Sequence, residues 1–263
     1  MQIKGGWEAR MDYVSSLTLR MPAPSGFKVA VTTVPQLAPY FQGALMERID
    51  DEYAEALHRL PFNPYSQYCQ YDHDENQIVW RISALGNEAA ERIIEPVLKC
   101  DTLFIKRLDA VLPIESKTVN EVSVKSLTDL VVNDTTRKSS IEFMTPTAFK
   151  SKGRYVFMPS VGLIFQNLLM HYGQVFGGDK EVDPETIEYI DENAMISAYS
   201  LRSRYFENAM QGGRKIPAFI GSVTISAKGP QQLVGLLRML LKFGEYSGIG
   251  IKTSMGMGGV LCK

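Results

Sequence analysis

The sequence predicts an α+β protein made of two tandem ferredoxin-like (RRM-like) domains. Three observations lead there: the length, the order of strand and helix patterns, and the return of that order in the second half. At 263 residues the chain exceeds one average domain of roughly 100–200 residues. Hydrophobic residues make up 45% and charged residues 22%, which supplies a real core and argues against disorder. Period-2 and period-3.6 patterns spell β-α-β-β-α-β once and then again.

The first pass opens at Tyr13 to Met21 (YVSSLTLRM), which alternates as a strand does. Leu37, Phe41, Leu45, Ile49, Tyr53 and Leu57 then recur every four residues, predicting one amphipathic helix over Pro35 to Leu60. Tyr65 to Tyr71 and Gln77 to Ala84 read as a hairpin around the polar turn DHDEN, with its Asp72, Asp74 and Glu75 as turn residues. Glu88 to Leu98 reads as a second helix, and Leu103 to Leu112 is expected to close the set. The first domain is assigned to residues 1–120 and the second to 121–263.

The second pass has a strand at Ser140 to Thr145 and a helix from about Pro159 to Tyr172, with Val161, Phe165, Leu168 and Leu169 on one face. Asp179 to Asn193 carries seven acidic residues against Lys180 and is expected to be a solvated connection. Met195 to Phe206 and Ala218 to Ala227 are β-rich, and a helix runs from Pro230 to Phe243 with proline near its start. Val260 to Cys262 supplies a last short strand. The open sheet face of such a domain is a common RNA platform.

Composition excludes several classes. No apolar run approaches the roughly 20 residues of a membrane-spanning helix, and MQIKGGWEAR lacks the apolar stretch of a signal peptide, so a cytoplasmic, soluble protein is expected. Met11 begins the strand-like run, and whether residues 1–10 are native is left open. Cys69, Cys100 and Cys262 are widely separated and form no CxxC pair, which indicates neither a disulfide framework nor zinc. The three histidines are dispersed, so no metal and no cofactor is expected. Net charge is −1, yet Arg137 to Arg154 holds five basic residues against Glu142. A basic face beside an acidic one fits a polyanion binder that engages its partner in one orientation.

Gly244 to Gly259 (GEYSGIGIKTSMGMGG) places six glycines in sixteen residues between a helix and the terminal strand. This density is taken as more than packing requires: glycine permits positive φ and close approach, so the loop can aim amide N–H groups at phosphates while Lys252 adds charge. A nucleotide P-loop needs Gly immediately before Lys-Thr, where Ile251 stands, and a dinucleotide pattern fails at Thr253.

With these motifs in hand, the chain resembles the CRISPR-associated repeat endoribonucleases of the RAMP superfamily. YSGIGIKTSMGMGGV is similar to their C-terminal glycine-rich signature, TPTAFKSKGRYVFMPSVGLIFQNL to the opening of their second domain, and LHRLPFNPYS to their N-terminal segment. The likeness covers nearly the whole chain in the expected order. It implies tandem ferredoxin-like domains that bind a CRISPR repeat RNA. It also implies cleavage without metal, leaving a 2′,3′-cyclic phosphate and a 5′-hydroxyl. Lys150, Lys152, Arg154, Gly248, Gly250, Lys252, Ser254, Gly256 and Gly258 are then the expected RNA-binding residues. CRISPR effector subunits are further expected partners, and either a monomer or a homodimer is compatible. A non-catalytic RNA-binding subunit of an effector is the alternative reading.

Of the histidines, His58 ends the first predicted helix off its apolar stripe and is therefore expected to be accessible, whereas His73 and His171 are read as structural or solvated. Imidazole can donate or accept a proton near neutral pH, which cleavage by an internal 2′-hydroxyl requires. The resemblance implies that His58 is catalytic, as general acid for the 5′-oxygen or as base for the 2′-hydroxyl. The family's tyrosine position is filled by Met46, and no lysine follows His58 before Lys99. Tyr40 and Tyr53 are the nearby substitutes for the tyrosine, and Arg59 for the lysine that stabilises the phosphorane.

Overall fold

The computed structural model describes residues 12–23, 34–177, 181–208 and 213–263, so residues 1–10 lie outside the described part. Two four-stranded antiparallel sheets organise the chain, with strand orders β2-β3-β1-β6 and β10-β11-β7-β12. Each is a β-α-β-β-α-β unit whose first and third strands lie in the middle, the ferredoxin-like arrangement that the pattern predicts.

In the first unit β1 (Tyr13–Pro22) lies between β3 (Gln77–Leu85) and β6 (Ser116–Ser123), and β2 (Tyr65–Asp72) takes the edge. The expected single helix over 35–60 is two helices, α1 (Ala38–Met46) and α2 (Asp51–Arg59). Asp50 breaks it: its backbone is extended, and its carboxylate accepts from the Tyr53 N–H at 2.9 Å and pairs with Arg92 at 2.9 Å. The apolar stripe survives because Leu37, Phe41, Leu45, Ile49 and Leu57 are all buried in one core. The expected second helix is α3 (Asn87–Ala89) and α4 (Glu95–Leu98) joined by a π turn at Ala90–Ile94, just ahead of Pro96, which has no N–H to donate.

The closing strand also differs from expectation. Residues 103–112 fold into a separate hairpin of β4 (Thr102–Ile105) and β5 (Ala110–Pro113), and β6 completes the sheet. Leu103, Ile105 and Leu112 are buried and give that hairpin its apolar pattern, while β6 (SKTVNEVS) is largely exposed and carries little alternation. The pairing of β6 with β1 continues to Ser123, and α5 (Val124–Asn133) follows directly, capped by the Ser123 hydroxyl.

The second unit runs β7 (Lys138–Thr147), a small hairpin of β8 (Phe149–Ser151) and β9 (Arg154–Val156), then α6 (Val161–Phe176). The acidic stretch is not merely a solvated connection: α7 (Pro184–Asn193) forms there, capped by Asp183, with Ile190 buried against the second core. Asp179 and Lys180 lie outside the described residues. β10 (Ala194–Asn208), β11 (Arg214–Ala227), α8 (Gln231–Ser247) and β12 (Val260–Cys262) complete the fold. Among the described residues no helix is long and apolar enough to cross a membrane.

The two units share an interface that closes off part of the expected RNA platform. The first sheet turns Leu17, Leu19 and Trp80 toward its own helices, while Val14 and Leu85, on the opposite face, belong to the second core. On that face the Ser66 hydroxyl donates to the Tyr246 carbonyl at 2.6 Å, and Arg81 sits 5.6 Å above the Tyr246 ring. Tyr68 presses so closely on Gly259 that a Cβ there would meet its ring at 2.6 Å. Helix α8 and the loop after it therefore occupy this side of the first sheet.

Candidate nucleic-acid interface

The loop after α8 is tightly folded backbone. Gly248, Gly250, Lys252, Gly256 and Gly258 all have φ between 56° and 104°, a region that side chains other than glycine rarely adopt. A Cβ on Gly250 would lie 2.4 Å from the Ala148 carbonyl oxygen, and one on Gly258 would lie 2.2 Å from that of Ile249. Packing therefore requires these glycines, contrary to the expectation that their density exceeds it.

The loop's amides are also engaged inside the fold. Ile249 donates to the Gly258 carbonyl at 2.9 Å, Ile251 to that of Ala148 at 2.9 Å, and Gly258 to that of Pro146 at 3.1 Å. Gly259 donates to Thr145 Oγ1 at 2.9 Å and Gly250 to Asn167 Oδ1 at 2.6 Å. Ser254 is buried as well. Its hydroxyl accepts from Asn63 at 3.2 Å and its carbonyl from Gln67 at 3.1 Å, so it ties the loop to the first unit. Gly248, Gly250, Gly256 and Gly258 are likewise buried, while Ile251, Lys252 and Met255 remain partly exposed. What the loop presents outward is thus a set of side chains more than a row of amides.

Lys252 is the charged member of that set. Burial pulls its ammonium below the usual lysine range, and the neighbouring positive charge of Lys150 pulls in the same direction. Lys150 stands on β8, and Lys152, at φ 47° ahead of Gly153 at φ 78°, turns the hairpin. Both line a groove of about 430 Å³ floored by Asn167, Met170 and Ile251. Arg154 is exposed on the return strand, opposite Ser151. Two ammonium groups close enough to lower one pKa repel each other, and an anion between them relieves that repulsion.

His58 lies exposed in the last turn of α2, where the helix dipole favours positive charge. Three residues on, Pro61, Phe62 and Asn63 form one wall of a second cavity whose other wall includes Lys252. Three residues of chain span at most about 11 Å, so the backbone of His58 lies within that reach of the Pro61 wall. The histidine's expected helpers are placed differently. Arg59 is paired with Glu55. Tyr53 is half-buried with Arg92 over its ring at 5.5 Å, and burial, reinforced by Glu88, pushes its hydroxyl up to about 12, which keeps it protonated. Tyr40 lines a separate hollow with Glu47, Lys106 and Arg107. Among the described residues no hydrogen bond joins His58 to either tyrosine.

The sequence model described as "CRISPR-associated endoribonuclease Cas6" matches residues 141–260. A CRISPR-associated endoribonuclease Cas6 from Mycobacterium tuberculosis is 35% identical over 254 residues, covering 95% of this chain and 78% of the relative. The Streptococcus thermophilus protein of the same description is 35% identical over 225 residues, 85% of this chain and 90% of its own. The chain belongs to the Cas6 family. In three dimensions it is similar to Thermus thermophilus Cas6, with a TM-score of 0.70 at 19% identity over 96% of this chain and 99% of the other. It is also similar to a Cas6 product complex, with a TM-score of 0.74 at 19% identity over 95% and 99%.

Against this Cas6 fold, the sequence reading missed the residues that shape the loop from below. Asn167, on α6, bonds both the amide and the carbonyl of Gly250, and its Nδ2 lies 3.2 Å from His171 Nε2. His171 is buried and stacked on Phe62 at 4.2 Å. Burial drives its imidazole down to about 4, with the Gly248 carbonyl opposing, so the ring is neutral near pH 7. A signal was present: Asn167 and His171 are polar residues four apart within VGLIFQNLLMHYG, an otherwise apolar helix.

Proposed function

We propose that this Cas6 protein is an endoribonuclease that cuts CRISPR repeat RNA in a precursor transcript to release guide RNAs, working without a metal ion. The observation that carries this reading is the Lys150–Lys252 pair at the glycine loop, with Lys252 lining a cavity whose Pro61 follows His58 by three residues. The cations hold the RNA backbone across the groove, with Lys152 and Arg154 extending the charged face, and His58 is the group that meets the scissile phosphodiester. The 2′-hydroxyl next to the scissile phosphate attacks phosphorus and the bond to the 5′-oxygen breaks. The products carry a 2′,3′-cyclic phosphate and a 5′-hydroxyl. His58 acts as general acid, giving its proton to the departing 5′-oxygen. The nucleophile is internal to the substrate, so no metal-bound water is needed to generate one. Tyr53, protonated and packed under Arg92, is poorly suited to be the base, and Arg59 is the nearest cation in sequence for the phosphorane.

The test is incubation with the host's repeat RNA in EDTA, followed by mapping of product ends. A 5′-hydroxyl and a cyclic phosphate at one bond are expected. Activity that vanishes on chelation and returns with a divalent metal overturns the mechanism, and a repeat that is bound but never cut favours a non-catalytic RNA-binding subunit.

A further inference from the structure

The β8–β9 hairpin carries aromatic surface as well as charge. Its turn is Lys152-Gly153, with φ of 47° and 78°, the positive values that a tight two-residue turn matched to the twist of its strands requires. The strands on either side alternate faces. Phe149, opposite Val156, packs with it into the second core, while Lys150 and Tyr155, also directly opposite, are both exposed. Opposed residues have Cβ atoms about 4.5–5.5 Å apart, so the Tyr155 ring and the Lys150 stem are neighbours on a hairpin anchored from behind. Tyr155 is 38% exposed, Phe157 47% and Met158 58%. Single exposed hydrophobics are ordinary, but large ones clustered beside charge mark a contact surface. The Phe149 ring stacks on Phe219 at 6.3 Å, whereas neither Tyr155 nor Phe157 meets another ring among the described residues.

We propose that Tyr155 is a stacking platform for an unpaired nucleobase of the repeat RNA whose neighbouring phosphate lies on Lys150, and that Phe157 and Met158 continue the platform along the strand. The inference rests on the RNA-cleavage reading and adds to it a surface that recognises single-stranded RNA. Every base has a π face, so an aromatic ring accepts a splayed base of any identity, and the adjacent cation holds its backbone. Such a surface selects for the absence of pairing more than for a particular base. Charge decides in favour of RNA as the occupant. From Lys150 to Met158 three residues are basic and none is acidic. A two-fold contact between copies of this chain would set that charge against itself, whereas a phosphate backbone brings the opposite sign.

The experiment uses the full chain and a repeat RNA made uncleavable by a 2′-deoxyribose at the mapped cut site, with each unpaired nucleotide in turn made abasic. Wild type should lose about five- to hundredfold in affinity at one position, and exchanging the base there for another should cost much less. Tyr155→Ala should bind the intact repeat more weakly by a similar factor, and making that position abasic should cost it little more, while other positions behave as in wild type. Its salt slope should match that of wild type because no ionic contact is removed, which separates stacking from the phosphate contact of Lys150. Tyr155→Phe, which keeps the ring, should bind as wild type does. If Tyr155→Ala binds the repeat and responds to every abasic position as wild type does, the proposal fails with repeat cleavage untouched. A change from dimer to monomer in Tyr155→Ala or Phe157→Ala, with RNA affinity unchanged, would assign the patch to a second copy of the chain and overturn it equally. A repeat neither bound nor cut by wild type overturns this proposal together with the reading on which it rests.

Discussion

Asn167 holds Gly250 from both sides, its Oδ1 accepting the Gly250 amide at 2.6 Å and its Nδ2 donating to the Gly250 carbonyl at 3.4 Å. One side chain on α6 thereby replaces the strand partner that this stretch of backbone lacks, and the loop that presents Lys252 is fastened to a rigid helix. Asn167→Ala should leave the buried amide of Gly250 unpaired and cost about 1–3 kcal/mol of stability. Asn167→Asp, which keeps the acceptor, should cost less. Denaturant unfolding checks both, and hydrogen exchange at the Gly250 amide should quicken in the alanine variant. Equal stability of wild type and Asn167→Ala would show that the loop is held by its other contacts.

Lys252→Ala and Lys150→Ala should each weaken repeat binding and flatten its salt dependence. For a single strand the logarithmic slope falls by about 0.7 for every phosphate that is no longer neutralised. In Lys150→Ala, Lys252 should regain basicity, because Lys150 is one of the two causes that lower the Lys252 pKa. Titration of repeat RNA by anisotropy at several salt concentrations measures the slopes. Unchanged affinity and slope in both variants would move the phosphate-binding surface elsewhere and leave the glycine loop a structural turn.

What the sequence shows about this molecule follows the reach of periodic patterns. Leu37, Phe41, Leu45 and Ile49 reveal a buried face because a helix repeats its contacts every turn, and the two β-α-β-β-α-β passes follow from such repeats. Asp50 splits that helix through one cap and one ion pair, neither of which is periodic. β6 was hidden because its exposed faces impose no apolar alternation, and the buried β4–β5 hairpin took its place in the reading. In the site, the cations of the β8–β9 hairpin and the loop could be named from composition, but the burial of the glycines could not. That burial depends on carbonyls of Ala148 and Pro146 and on Asn63, which bonds a residue 191 positions away.

His171 makes stability depend on pH in a defined window. Its folded-state pKa of about 4 lies below the ordinary value of 6.5, so the unfolded chain takes up the proton first as pH falls. The contribution is complete above about pH 6.5, is lost progressively on acidification, and changes no further below about pH 4. Between pH 7.5 and 4.5 the loss should approach about 2–3 kcal/mol. Carboxylates titrate in the same range, so the informative quantity is the difference between wild type and His171→Leu in denaturant unfolding. Parallel pH profiles for the two proteins would mean that His171 can be protonated in place.

His58→Ala should separate binding from chemistry. The side chain is exposed and makes no core contact, so folding and repeat affinity should be nearly those of wild type. Single-turnover cleavage should fall by about 10²–10⁴-fold, the range for a positioned acid–base group. A repeat with 2′-deoxyribose at the scissile position should bind and resist cleavage in the wild type, since its internal nucleophile is gone. The two perturbations act on opposite ends of the same step, the leaving oxygen and the attacking oxygen. A repeat whose 5′-oxygen is replaced by sulfur, a better leaving group that needs little protonation, should therefore be cut by His58→Ala at close to the wild-type rate. Full recovery on that substrate identifies His58 as the acid. Impairment as severe as on the natural repeat would assign it instead to the 2′-hydroxyl, and wild-type cleavage of the natural repeat by His58→Ala would remove it from the mechanism.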